Sequence, residues 1–366
     1  MHRKDAIAWV VSVCAVSLRL SQAKTLGILV ASAMRVERIS LANIGRAMNG
    51  MVKHQIKRCW RFCANDRIET ADAMRGVLKR VLKKRKKKLL VSFDWTDIRS
   101  FQTLVASVVF KGRSIPVCWA SCNKHVYEGH RSRNAFEESL LLMLRSMIPA
   151  QVKVILLADR GFGRTELARF CQRHGFSYVI RIQPNVHVNG ASYTGKLLDY
   201  PVHKGICKLL RSVLYRSKEN PVTQNIVIRW VRDLPKKRDE CWFLMTDLQA
   251  GGAWISKLYG QRMTIEELFR DQKNKRNGWS LRDTKITRPQ RLDRLLLILA
   301  IAYLLLCGVG LVALRTGTPG EWSSSTRNEC SVFMIGKIML QRLEVTVAAV
   351  LAAIIIATDE AVPNWG

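Results

Sequence analysis

An α/β fold, a mixed sheet flanked by helices, is what this sequence predicts, and three observations predict it. Between residues 89 and 182 the hydrophobic periodicity alternates in the order three strands, helix, strand, helix, strand. The first three strands are joined only by short polar turns, which makes them an antiparallel meander. Residues 153–159, Lys-Val-Ile-Leu-Leu-Ala-Asp, form an unbroken apolar run closed by an acid, as expected of a strand buried on both faces.

The chain has 366 residues, a formal net charge of +32 and a pI near 10.3. That length predicts two or three domains with a sizeable core. A surface so basic repels itself unless a polyanion is present, so nucleic acid is the leading partner and an anionic membrane surface the second. Packaging proteins share the charge but are short or low in complexity, and this chain is neither. The 10 cysteines carry no zinc pattern, since Cys59/Cys63 and Cys118/Cys122 lack both the CxxC spacing and histidine partners. They read as free thiols of a reducing cytoplasm.

Residues 1–88 read as a helical, DNA-binding region ending in a basic linker. The apolar run 6–18 resembles a short signal peptide, but Arg19 and the helical pattern beyond it predict an ordinary helix. Ser40 is a good N-cap for a helix to Met48, and Asn49-Gly50 ends it. A basic helix over 52–65 follows, with Lys53, His54, Lys57, Arg58 and Arg61 among Trp60 and Phe62. The pair has the outline of a helix-turn-helix that reads a DNA groove, an outline any αα-hairpin shares. The run 79–88 is almost wholly basic, suited to a linker that tracks phosphates.

Residues 89–184 form the first part of the sheet core. Strands are expected at 89–95 (ending on Asp94), 101–110 and 115–120, with a turn at Lys111-Gly112-Arg113. A helix over 134–148 stops at Pro149, and the buried strand 153–159 follows. Gly161-Phe162-Gly163 makes a loop, residues 165–174 a helix capped by Gly175, and 176–182 a further strand. Residues 185–240 hold short β-prone pieces among Gly, Pro and Asn turns, read as a β-rich insertion rather than a continuation of the sheet. Residues 241–315 return to the core with a buried strand at 241–246. Within them, 295–314 is twenty residues without a charge, long enough to cross a bilayer. Nothing else in the chain reads as a membrane protein, so a buried core helix and no membrane partner are expected. Residues 316–366 are unassigned beyond one helix at 345–357.

The stretch Tyr259 to Lys273 concentrates chemistry. Taken as one helix at about 100° per residue, it puts Tyr259, Arg262, Glu266, Arg270 and Lys273 within roughly 80° of one another. Leu258, Ile265, Leu268 and Phe269 form an apolar strip beside them. Asp94 and Asp159 each close an apolar strand, where a carboxylate costs desolvation unless something cationic satisfies it. Parallel neighbouring strands would bring both acids to one sheet edge, and a crossing helix would deliver Glu266. Three carboxylates there suit two Mg²⁺ or Mn²⁺ ions about 3.5–4 Å apart, for in-line displacement at phosphorus. The blander readings are a turn cap for Asp159 and an ion pair for Asp94 with Arg99 or another cation. Glu267 and Asp97 are decoys, the first about 100° off the functional face and the second beyond the strand end.

Tyr259, Arg262, Glu266 and Lys273 match the Y-x2-R-x3-E-x6-K signature position for position, and with the surroundings of Asp94 and Asp159 the chain resembles the DDE transposases of bacterial insertion sequences, of the insertion-sequence-four-like group. The similarity runs over about residues 24–312. The resemblance implies an RNase H-like core interrupted by the β-rich insertion, with Asp94, Asp159 and Glu266 catalytic and metal-holding. It implies DNA contacts by Tyr259, Arg262 and Lys273 near the cleaved end, and binding of terminal inverted repeats by the N-terminal region. Partners would be those repeats and target DNA, with a homodimer formed on DNA in the nucleoid of the cytoplasm. Water would attack the element's end, and the freed 3′-hydroxyl would then attack target DNA. Hairpin-forming members stack insertion aromatics on a flipped base, a role open here to Trp230 or Trp242. The competing readings are a stand-alone nuclease of the same fold and a catalytically inactive DNA-binding relic. Arg270 shares the face but lies outside the signature, and its role stays open.

Overall fold

A computed structural model describes residues 1–82, 88–110, 112–124, 126, 132–218, 220–233, 238–276, 278–281, 284–324 and 329–362. The basic linker's residues 83–87 and Lys111 of the expected turn lie outside them. In chain order the elements are α1 (Arg3–Cys14), α2 (Leu20–Ala33), α3 (Leu41–Arg46), α4 (Val52–Ala64), α5 (Thr70–Leu82), β1 (Lys88–Ile98), β2 (Phe101–Phe110), β3 (Arg113–Asn123), α6 (Ser132–Met147), β4 (Lys153–Ala158), α7 (Thr165–Arg173), β5 (Phe176–Arg181), β6 (His187–Gly190), β7 (Tyr193–Lys196), β8 (Cys207–Tyr215), β9 (Val222–Asp233), β10 (Arg238–Thr246), α8 (Gly252–Gly260), α9 (Met263–Lys273), α10 (Pro289–Thr316), α11 (Val332–Met339) and α12 (Val347–Asp359). They fall into two compact units, and both β1 and α9 contribute residues to each.

The first unit takes Met1–Arg85, Trp95–Pro149 and Ile265–Glu360. Its axis is α10, whose most apolar 18-residue window is 94% buried, because α2, α4, α11, α12 and β3 cover it. A helix apolar all round is stable when protein surrounds it, which is the core-helix expectation for 295–314. Small residues allow that packing. A Cβ on Gly310 would stand 2.0 Å from the Val332 carbonyl oxygen, and one on Gly336 1.9 Å from that of Leu306. β2 and β3 form an antiparallel hairpin from Phe101↔Asn123 to Phe110↔Arg113, with a bulge at Ala106/Ser107. Among its described residues the C-terminal region holds α11 as well as the expected helix, and α11 was missed because eight residues give too little period to read.

The second unit takes Lys86–Asp94, Ala150–Thr264 and Ala361–Gly366. β1, β4 and β5 are parallel neighbours, in register at Phe93↔Ala158 and Ala158↔Ile180. β10 joins β5 antiparallel (Leu244↔Arg181), and β9, β8, β6 and β7 follow in hydrogen-bonded order. α7 packs on β5 and β9, and α8 on β5, β8 and β9. The chain is thus mixed α/β, with sheet strands flanked by helices.

Three expectations are corrected. The strands of 185–240 do continue the sheet, because the long β9–β10 hairpin carries the ladder from β5 outward. β1 does not end at Asp94 but runs to Ile98, so Asp97 lies inside it, exposed and paired with Lys124 at 3.0 Å. The stretch from Tyr259 to Lys273 is not one helix. α8 ends at Gly260 and α9 begins at Met263, with tight bonds from Arg262 N to Tyr259 O and Thr264 N to Gln261 O between them. Gly260, a weak helix former at the end of α8, is where the break falls. The expected apolar strip survives it, Leu258, Ile265 and Leu268 being fully buried.

Candidate active site

Parallel pairing fixes the level of the charged residues in the second unit. Phe93, Ala158 and Ile180 stand abreast on β1, β4 and β5, so the next residues, Asp94, Asp159 and Arg181, follow at one level. Neighbouring strands lie about 4.8 Å apart, which puts the two aspartates side by side. Phe93 packs on Phe162 at 5.1 Å below them. Asp159 accepts from Gly161 N at 2.8 Å and caps the short turn Arg160–Phe162. Asp94 Oδ2 accepts from Arg262 Nη1 at 3.3 Å. The blander readings of both acids are therefore present, with Arg262, not Arg99, as the cation on Asp94.

Around them stands a set of aromatic and cationic side chains. Tyr259 is buried and meets Trp242 edge-on, at 5.0 Å between ring centroids. Burial pushes the Tyr259 phenol up to about 12, against the pull of the Arg262 and Arg181 charges and with some help from Asp159. It stays a neutral hydroxyl at physiological pH. Trp242 Nε1 donates to Glu240 Oε2 at 3.1 Å, and Arg181 is bonded to the other oxygen of the same carboxylate. Burial raises Glu240, but these hydrogen bonds and the Arg181 and Arg160 charges outweigh it and hold it below the usual carboxylate range. Trp242 is thus anchored to Tyr259 and Glu240. Trp230 is half-buried.

Arg181 and Glu240 were not singled out from the sequence. A signal existed, since Arg181 directly follows the uncharged run 176–180, as Asp159 follows the apolar run 154–158.

The remaining predicted residues belong to the first unit. Glu266 lines an open groove of about 430 Å³ with Phe269, Arg270, Lys273 and Asn274. Lys273 Nζ donates to Thr96 Oγ1 at 2.7 Å. Arg270 is exposed and pairs with Glu267 at 2.8 Å, and Glu267 also faces Arg113 at 3.6 Å. Among the described residues no three His, Cys, Asp or Glu side chains are grouped to hold a metal ion. The donors on offer are all carboxylate oxygens, a set that suits a hard cation such as Mg²⁺ or Mn²⁺ and not a soft one.

In the N-terminal helices Ser40 Oγ accepts from Asn43 N at 3.0 Å, as an N-cap should. α4 buries Cys59, Phe62 and Cys63 and exposes Lys53, His54, Lys57, Trp60 and Arg61, a basic face carrying one aromatic. All ten cysteines are free thiols, and burial raises Cys14, Cys59, Cys63 and Cys118 to about 12.

A family model described as transposase DDE domain matches residues 85–305. No curated protein matches the chain.

Proposed function

The chain belongs to the transposase DDE-domain family and is a DDE transposase, and on that premise we propose that it cuts the ends of an insertion sequence and joins them to target DNA through Asp94, Asp159 and Glu266. The register that sets Asp94 beside Asp159 on parallel strands carries this reading, together with the Tyr259–Arg262–Glu266–Lys273 spacing. On this reading the chain is a member of the Y-R-E-K, insertion-sequence-four-like group and its sheet an RNase H-like core, with residues 185–240 as the family's insertion. On the same reading Glu266 acts with the two aspartates, in a homodimer bridged by DNA in the bacterial nucleoid.

Bound Mg²⁺ or Mn²⁺ would activate the attacking oxygen and neutralise the charge that develops at phosphorus. The chain's own groups do the rest. Asp94, Asp159 and Glu266 supply the hard oxygen donors. Tyr259, as a neutral phenol, donates a hydrogen bond to a phosphate oxygen, and Arg262 and Lys273 set the backbone in line by charge-assisted bonds. The exposed basic face of α4 supports recognition of the inverted repeats by residues 1–88. A metal-free role in DNA binding alone, as in an inactive relic, has no such call on acids at one sheet level.

The deciding experiment is strand transfer with duplexes bearing the element's inverted repeats, comparing the wild type with Glu266→Gln, Asp94→Asn and Asp159→Asn. Loss of transfer with retained end binding is the expected result. Transfer that survives Glu266→Gln would remove Glu266 from the site, and cleavage without end specificity would favour the nuclease.

A further inference from the structure

The first unit carries a second concavity, of about 770 Å³, that none of the signature residues lines. Three separate segments build it. Arg35 and Arg38 come from the chain after α2, Lys275 and Arg276 from the chain directly after α9, and Lys337 and Arg342 from α11 and the turn beyond it. Glu37 is the one acid among its lining residues. The ion pairs of the described residues use none of the six cations.

A single basic run is usually a solvated tail, free to spread its charges. Here folding brings six cations from distant parts of the chain around one hollow, where each repels the rest. Near a surface such repulsion is worth on the order of 1 kcal/mol per pair, and the counter-charges of Glu37 and, at Lys337, Asp271 offset only part of it, one acid of the lining standing against six cations. The Lys337 ammonium is also partly taken out of water, with its Nζ 3.5 Å from the Glu37 carbonyl oxygen, and burial holds it below its ordinary value. A bound polyanion relieves both costs. A chain of phosphates suits six cations drawn from three segments better than one small anion, since it offers several negative charges in succession.

We propose that this groove binds the phosphate backbone of duplex DNA, as a contact zone separate from the carboxylate site. Four of its six cations lie outside residues 85–305, so the zone is made largely by the flanks of the family-matched domain. Its contacts read no sequence, because lysine and arginine on phosphate position a duplex without specifying it. The proposal needs DNA as the ligand but not the catalytic role of any acid.

The test is DNA binding in chelator-containing buffer, by anisotropy of a short mixed-sequence duplex across a salt series, with Asp159→Asn run in parallel. Arg38→Glu, Lys275→Glu and Arg276→Glu are combined, all three being exposed. The combined variant is expected to bind at least about tenfold more weakly and to flatten the salt slope by about 0.9 per lost contact, about 3 in all. Arg38→Lys with Arg276→Lys is expected to bind as the wild type does. An unchanged slope and affinity in the charge-reversed protein overturns the proposal.

Amine acetylation of the wild type gives a reading that needs no variant, with DNA expected to protect Lys275 and Lys337. Failure of protection, or protection by anionic phosphatidylserine vesicles but not by DNA, also overturns it. Since no divalent ion is present, these outcomes are independent of whether Glu266 proves catalytic.

Discussion

Arg262 Nη1 stands 3.3 Å from Asp94 Oδ2, with only 10% and 18% of the two side chains exposed. The signature arginine thus neutralises one of the two aspartates proposed to hold metal, and a bound cation would compete with it for that carboxylate. Truncating one partner of a poorly exposed pair leaves the other charge desolvated. Arg262→Ala is therefore expected to lower stability by about 2–4 kcal/mol in urea unfolding. Adding Asp94→Asn should recover part of that loss, since the poorly exposed carboxylate charge is then gone. Strict additivity of the two substitutions would show that the pair is not coupled.

A second pair sets the orientation of α9. Asp271 is buried and accepts from Arg113 Nε at 3.0 Å, Tyr303 OH at 2.8 Å and Ser331 Oγ at 3.3 Å. Arg113 also faces Glu267, one turn earlier, so one guanidinium holds two acids of the helix that carries Glu266. Burial raises the Asp271 carboxyl against the Arg113 charge and these hydrogen bonds. Arg113→Ala is expected to cost about 3–5 kcal/mol, as removal of one partner from a buried pair does, and Arg113→Lys distinctly less. Thermal unfolding of the two variants decides it, and equal melting temperatures would refute a role for the paired geometry.

The sheet was legible in the sequence because its strands carry their own period. β2, β4 and β5 lie within a residue of the expected bounds, and Asp94 and Asp159 stood out as candidates because an acid beside an apolar run is conspicuous. What was not legible depends on tertiary pairing. The junction of β9 and β10 with β5 is a long-range contact that no local pattern encodes, so residues 185–240 read as separate. The break at Gln261–Arg262 was hidden for a different reason. Helical spacing of Tyr259, Arg262 and Glu266 persists across a turn whose bonds are one residue tighter, so periodicity alone cannot register the interruption. The sequence marks Arg181 by its place beside an apolar run, but its pairing with Glu240 becomes visible only when β10 is laid against β5.

The close approach of α11 to α10 gives a third expectation. A methyl group on Gly336 would collide with the Leu306 carbonyl oxygen at 1.9 Å, a backbone atom that no side-chain rotation moves aside. Gly336→Ala should therefore separate the helices and destabilise the first unit by about 1–3 kcal/mol or more, although alanine favours an isolated helix. Denaturant unfolding checks this directly. A neutral or stabilising result would mean that α11 does not pack on α10 in solution and that the C-terminal region is dispensable to the core.

Asp293 near the start of α10 supplies a pH dependence. Burial pushes its carboxyl up to about 7, against hydrogen bonds from the Ser121 hydroxyl and main-chain NH and the Arg294 charge, and its Oδ1 has no partner among the described residues. An acid raised in the folded state binds its proton more tightly there than in the unfolded chain. Its favourable contribution is complete below about pH 4 and is lost as pH rises towards about 7, the value reached in the fold. Asp271 and Asp247 are raised in the same direction, so the slope of the wild type alone does not isolate Asp293. Asp293→Asn does, because it removes one titration and leaves the others. The variant is expected to be more stable than the wild type at pH 8, with the gain shrinking steadily towards pH 5. Urea midpoints at both values measure it, and a gain independent of pH would place the charge cost elsewhere than on Asp293.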